Sequence, residues 1–251
     1  EFAARFPNAV AGVGTGIALF TIGRKHLGNA FGWLWAFAYC TSLLPVLYFK
    51  SGIIDPWFNL FIFFGVYSTW QSLYCSKNKI IWAIIAGASI GLGVMTKGPV
   101  ALLILLLIYG VFFIWKRFRV SINGFQLLWF LTSLIIIGGL WFFIEWLNGR
   151  SYIIIDFINY QIRLLQTQDA GHGGPFYYHF VVLLFGCFPM SFFALGGFSN
   201  PWKKTELIEL HRVMLLLLVL VLLLFSAVNT KIIHYSSLCY FPLSYFAATF
   251  L

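Results

Sequence analysis

Sixteen lysines and arginines and seven acids are spread over 251 residues, and only a few of them stand where chemistry could use them. Lys97, in "GVMTKGPVAL", sits where one apolar run ends, with Gly98 and Pro99 breaking the helix before the next begins. A cation at that joint can hold the phosphate of a lipid headgroup, or it can simply snorkel from a tight turn. Lys231 in "NTKIIHY" has the same placement before the last apolar run, and Arg163 falls on the polar side of an amphipathic stretch. Three such cations gathered on one site would suit a diphosphate or a phosphodiester.

Asp55, in "SGIIDPWFNL", precedes a proline. That pairing starts helices, with the carboxylate capping free N–H groups and the proline at the first helical position. The same carboxylate, at the mouth of a helix bundle, could bind sugar hydroxyls or deprotonate an acceptor. Glu145 reads as a partner for Arg150. Asp169 and His172, in "DAGH", could give two ligands to a divalent metal, fewer than a complete site needs, and no other cofactor is suggested. His179 and His234 lie among aromatic residues near the ends of apolar runs and read as interfacial packing. There is no nucleotide-phosphate loop, dinucleotide fingerprint or nucleophile elbow, so a donor carried by lipid fits better than a soluble nucleotide.

The elements that must position these residues are membrane helices. Hydrophobic residues make up 61% of the chain and charged residues 9%, against roughly 25% charged in soluble domains. Apolar runs near the 20 residues of a spanning helix recur at about 6–23, 30–49, 54–74, 80–96, 99–115, 125–146, 178–197, 212–228 and 232–251. The predicted fold is therefore all-α, a polytopic bundle of about nine spans forming a single membrane domain over residues 1–251. Its net charge of +9 comes from short basic clusters between spans, without the aromatic or glycine pattern of a nucleic-acid binder. Ten basic residues, from Arg24 and Lys25 to Lys203, Lys204 and Arg212, alternate onto one side. The other side receives Arg5, Lys50, Lys97, Arg150, Arg163 and Lys231. The positive-inside rule makes the first side cytoplasmic and the second extracytoplasmic, which in a bacterial inner membrane is the periplasm.

Residues 147–177 form the one long connection. Within it, Ile154, Phe157, Ile158, Ile162 and Leu165 mark one helical face and Asp156, Asn159, Arg163 and Gln166 the other, which predicts a helix lying along the outer membrane surface. The glycine-rich "TQDAGHGGPFYYH" that follows can turn tightly and lead back into the bilayer. Cys40, Cys75, Cys187 and Cys239 show no ligand spacing and read as packing residues. The chain opens on Glu1 without a leader pattern and is expected to begin partway through a longer protein, lacking a first span and a first outer loop.

Four segments, "SGIIDPWFNL", "GVMTKGPVAL", "QIRLLQTQDAGHGGPFYYH" and "NTKIIHYSSLCYFPL", resemble in this order the GT-C-type glycosyltransferases of the protein O-mannosyltransferase-like class, especially the branch that moves aminoarabinose onto lipid A. The resemblance implies transfer of a sugar from a polyprenyl-phosphate donor to a lipid or protein acceptor on the extracytoplasmic face, with inversion at the anomeric carbon. It implies a sugar-pocket acid at Asp55 and donor-phosphate contacts from Lys97, Arg163 and Lys231, although "KIIHY" lacks the family's proline after the lysine. Asp169, His172, Pro175, Phe176 and Tyr177 match the loop that the resemblance places by the acceptor. The family's main carboxylate base would lie in the first outer loop, outside this chain. A lipid-linked-sugar flippase and a non-catalytic membrane subunit are the competing readings. A flippase would show ionisable residues at mid-membrane depth and inverted repeats with broken helices.

Overall fold

A computed structural model describes residues 2–74, 77–166, 173–199 and 202–251. Among them the regular structure is helical, with one isolated antiparallel bridge between Gly173 and Thr230. The helices are α1 (Phe2–Leu27), α2 (Asn29–Cys40), α3 (Leu43–Lys50), α4 (Asp55–Tyr74), α5 (Lys79–Lys97), α6 (Val100–Trp115), α7 (Gly124–Leu147), α8 (Ser151–Gln166), α9 (Tyr178–Gly186), α10 (Met190–Gly196), α11 (Thr205–Ala227) and α12 (Tyr240–Phe250). A 3-10 segment, Ile233–Cys239, leads into α12.

Each apolar run is helical, but the count of nine spans is not confirmed. Among the described residues four helices, α1, α5, α7 and α11, are long and apolar enough to cross a membrane, and the number is at most six if each of two bent pairs is one span. The run at 30–49 bends by 67° between α2 and α3. There the Thr41 and Ser42 hydroxyls donate to the Phe37 and Ala38 carbonyls, and Pro45 has no N–H to extend the ladder. The run at 178–197 bends by 104° between α9 and α10, around Pro189. α6 is short at 16 residues, and the last run divides between the 3-10 segment and an 11-residue helix. α4 reaches 20 residues but carries Asp55, Asn59, Ser68, Thr69, Gln71 and Ser72, too polar a set for a lipid-facing span.

The described chain forms two compact units, with the division falling inside α4 after Leu60. In the first unit (1–60, 175–227 and 231–251), α1 and α2 cross where Gly23 meets Gly32; a Cβ on Gly23 would come within 2.8 Å of the Gly32 Cα. Trp35 of α2 is fully buried and its indole N–H reaches the Phe241 carbonyl and Ser244 Oγ of α12, each at 3.2 Å. Tyr39, Phe241, Tyr245 and Phe246 complete an aromatic core around it, and Cys187 and Cys239 are buried in the same unit. An indole N–H buried in apolar surroundings needs a partner, which is why Trp35 seats against a hydroxyl-bearing turn of α12.

In the second unit (61–174 and 228–230), α5 packs against α7 through small residues. Gly87 faces Phe130 and Ser133, and Gly91 faces Ile137 and Gly138. Ascending positions on one helix meet ascending positions on the other, so α5 and α7 run parallel, as the alternation of spans predicts. Close approach of backbones is how helices gain contact area where lipid supplies no hydrophobic drive. The other faces of α7 expose Leu128, Ile135, Ile136, Phe143 and Trp146, as a bilayer requires.

Candidate functional site

The first unit assembles a buried polar cluster around Asp55. Asn8 of α1 starts the positioning: its Nδ2 donates to the carbonyls of Ser51 and Ile53, both at 2.6 Å, and so clamps the link that delivers Asp55 to the first turn of α4. Asp55 is only 4% exposed. Its Oδ2 lies 3.9 Å from His234 Nε2, on the 3-10 segment. One helical turn along α4, Asn59 Nδ2 lies 2.7 Å from both Tyr48 Oη and Ser237 Oγ. Ser237 Oγ in turn donates to the His234 carbonyl.

Two rungs therefore tie α4 to the 3-10 segment, Asp55 to His234 and Asn59 to Ser237. Positions four apart on an α-helix and three apart on a 3-10 helix share a face, so the rungs are in register. The reading of His234 as packing alone was incomplete: its ring meets Tyr235 edge-on at 5.5 Å, and its other aspect is the contact with Asp55. A hint was present in "DPWFN", whose aspartate and asparagine stand four apart, but nothing in the sequence ties that pair to "HYSS".

Lys231 is 6% exposed, and its ammonium donates to the carbonyls of Phe225 and Ser226, at 3.1 and 2.6 Å. A cation on the last carbonyls of α11 closes that helix end and favours its dipole. Burial lowers the Lys231 pKa from the ordinary lysine value. His179, fully buried at the start of α9, places Nδ1 3.1 Å from Ser236 Oγ. Pro175, Phe176 and Tyr177 form the exposed turn into α9, the carbonyls of Pro175 and Tyr177 accepting from Tyr178 and Phe180.

In the second unit, Lys97 ends α5 and is half-buried. Gly98 at φ +81° turns the chain there, and its N–H returns to the Val94 carbonyl at 2.8 Å. Because α5 and α7 are parallel, Lys97 lies at the same end of the pair as Glu145. Glu145 is buried, and its Oε2 lies 2.9 Å from Arg150 Nε, an ion pair by distance although that N–H does not point at the oxygen. α7 closes in a Schellman turn, with Gly149 at φ +67° and the Arg150 N–H on the Glu145 carbonyl, which folds α8 back onto α7.

There Phe157 packs on Trp141 and Phe142 at 5.8 and 5.7 Å. Ile154 is half-buried as the amphipathic pattern predicts, whereas Ile158 stays 49% exposed; the side chains of Ile162 and Leu165 lie outside the described residues. Arg163 is exposed, with its guanidinium 5.3 Å over the Tyr160 ring. Asp169 and His172 also fall outside the described residues, and among those described no group of three metal-ligating side chains occurs. A cleft of about 650 Å³, lined by Lys77, Lys79, Asn123 and Gln126, lies at the other end of α5, away from Lys97.

A profile of the dolichyl-phosphate-mannose-protein mannosyltransferase family matches residues 1–143. The chain belongs to that family. Asp55 and Lys97 lie inside the matched stretch; Arg163 and Lys231 lie beyond it. The undecaprenyl phosphate-α-4-amino-4-deoxy-L-arabinose arabinosyl transferase of Wigglesworthia glossinidia brevipalpis is 33% identical over 203 residues, covering 77% of this chain and 34% of the relative. The enzyme of the same name from Edwardsiella ictaluri is 27% identical over 252 residues, 97% of this chain and 45% of that one. The chain thus spans between a third and a half of the length of these curated relatives.

Among solved structures, ArnT from Cupriavidus metallidurans superposes with a TM-score of 0.79 in the apo state and 0.76 bound to undecaprenyl phosphate. Each match covers 99% of this chain, and 45% or 46% of the neighbour, at 15% identity. That likeness is one of fold: a polytopic helical membrane protein.

Proposed function

We propose that the protein containing this chain is an inverting glycosyltransferase. It takes a sugar, of the 4-amino-4-deoxyarabinose kind, from an undecaprenyl-phosphate donor and places it on a lipid acceptor such as lipid A. The observation that carries this reading is the 33% identity with a transferase named for that donor, within the mannosyltransferase family. The fold shared with a protein crystallised with undecaprenyl phosphate supports it.

On this reading the acceptor hydroxyl attacks the anomeric carbon. Its proton is taken or oriented by Asp55, held by the Asn8 clamp and the Asn59 rung. As the phosphate departs, Lys97 and Arg163 stabilise the developing charge at the extracytoplasmic rim, the side given by the basic loops. Lys231 contributes first by closing α11, and the exposed Pro175–Tyr177 turn stands on the acceptor side. A base in a first outer loop would complete the site. Asp169 and His172 remain the candidate ligands for an assisting divalent metal.

The test is transfer by the full-length protein in liposomes holding the lipid-linked donor and lipid A. Product that is lost in Asp55→Asn and Lys97→Met supports the reading; undiminished product in both contradicts it. The bends between α2 and α3 and between α9 and α10 favour a second reading, carriage of the lipid-linked sugar without chemistry. Donor that crosses the bilayer without sugar transfer would select that reading.

A further inference from the structure

We propose that the cleft at the starts of α5 and α7 binds the headgroup of an anionic phospholipid. It lies at the opposite end of α5 from Lys97, takes no part in the transfer step above, and stands whether or not that reading holds. Its volume of about 650 Å³ falls within the range of small-molecule sites.

Charge selects the ligand's sign. Lys77 and Lys79 line the cleft from the entry to α5, and Ser121 and Asn123 from the entry to α7. Between Asp55 and Glu145 the sequence has no carboxylate, while the chain entering these two helices carries Lys77, Lys79, Lys116, Arg117 and Arg119. Because α5 and α7 run parallel, the positive ends of both helix dipoles meet the cleft, and neither helix has an acid in its first turn. Lys79 is the first residue of α5, where its charge opposes the dipole; its ammonium lies 3.5 Å from the Leu73 carbonyl. An anion in the cleft relieves that repulsion. Part of the lining is fixed in advance: buried Gln126 donates to the Ser72 carbonyl and Oγ, each at 2.9 Å, and accepts the Asn123 N–H at 3.0 Å.

The apolar part of the lining selects a lipid over a free phosphate. Ile80 and Ile81 also line the cleft, and Ile81 is 53% exposed. Trp115, Phe118, Phe125 and Trp129, in the segments that lead into and out of the α6–α7 link, are exposed as well, the aromatic set found at headgroup depth. A phosphodiester held by the lysines leaves its first acyl carbons to the isoleucines, whereas inorganic phosphate makes no use of them. Basic pockets between membrane helices hold acidic headgroups in this way.

The experiment is native mass spectrometry of the full-length protein in detergent, titrated with phosphatidylglycerol, with phosphatidylcholine and with inorganic phosphate. Phosphatidylglycerol should bind about tenfold or more tighter than phosphatidylcholine. Lys77→Gln combined with Lys79→Gln should weaken that binding by about 30-fold, each lysine near an acidic headgroup being worth about fivefold. Ser121→Asp, which puts a carboxylate into the cleft, should weaken it too. Lys203→Gln combined with Lys204→Gln removes the same charge outside the cleft and should leave binding unchanged. All of the altered side chains in the cleft are exposed, so the melting midpoints without lipid should match that of the unaltered protein. Equal binding of the two lipids overturns the proposal, as does equal weakening by the two lysine pairs. Displacement of phosphatidylglycerol by an equal concentration of inorganic phosphate overturns it as well, because the cleft would then be a site for free phosphate.

Discussion

Asn59→Ala offers a quantitative probe of how the site is held. The Asn59 amide is 4% exposed and makes contacts of 2.7 Å to Tyr48 and Ser237, linking α3, α4 and the 3-10 segment. A typical buried hydrogen bond contributes about 0.5–1.5 kcal/mol net, so losing two costs about 1–3 kcal/mol. Ser237 keeps its bond to the His234 carbonyl, which places the expected loss near 2 kcal/mol rather than higher. If that energy holds Asp55 and His234 in register, losing it lowers turnover by roughly 30-fold, since each 1.4 kcal/mol is about tenfold. Thermal unfolding in detergent and single-turnover transfer would be measured on the full-length protein, with Asn59→Leu as a variant of similar volume. Both variants should unfold several degrees earlier and transfer slowly while binding donor normally. A variant with the native midpoint and native turnover would refute the two-rung argument, because the amide would then be dispensable to both stability and alignment.

Further outcomes follow from the same geometry. Gly87→Ala should separate α5 from α7, because its Cβ would overlap the Phe130 carbonyl and Ser133 Oγ, at a cost of at least 1–3 kcal/mol; Gly139→Ala, with open space around it, should change the melting midpoint little. Lys231→Met should destabilise by about 1–3 kcal/mol by stripping the Phe225 and Ser226 carbonyls of their donor, with donor KM unchanged. A large rise in donor KM at native stability would instead make Lys231 a phosphate ligand. Arg163→Gln should weaken binding of undecaprenyl phosphate by about tenfold or more, the value of one charge-assisted contact, in a direct binding titration. If a divalent metal held by Asp169 and His172 assists transfer, EDTA should slow it and added divalent ion should restore it; transfer unchanged by EDTA would contradict an assisting metal.

Much of the helical content was legible because apolar runs of spanning length leave few alternatives. The Lys97–Pro99 joint, the Glu145–Arg150 pair and the amphipathic character of α8 were also readable, being local patterns. The bends were not read, although their causes are local: hydroxyls at Thr41 and Ser42, and prolines at 45 and 189, inside runs whose hydropathy is uninterrupted. α4 is long enough to span but carries a polar set of residues, one reason the count of nine spans is not confirmed. The Asp55 cluster was invisible for a different reason. Asn59 and Ser237 stand 178 positions apart, and only folding brings the start of α4 to the 3-10 segment. Lys231 shows the limit from the other side: its position fitted a phosphate ligand, and nothing in the sequence indicated that its ammonium also donates to the carbonyls of Phe225 and Ser226.

The most direct measurement is a single turnover by the full-length protein carrying Asp55→Asn, preloaded with undecaprenyl-phosphate-linked sugar and then given lipid A. The account predicts that donor stays bound through Lys97 and Arg163 while glycosylated lipid A fails to form on the time scale of the unaltered protein. Formation at the unaltered rate would contradict it, since the carboxylate at the centre of the buried cluster would then have no part in the reaction.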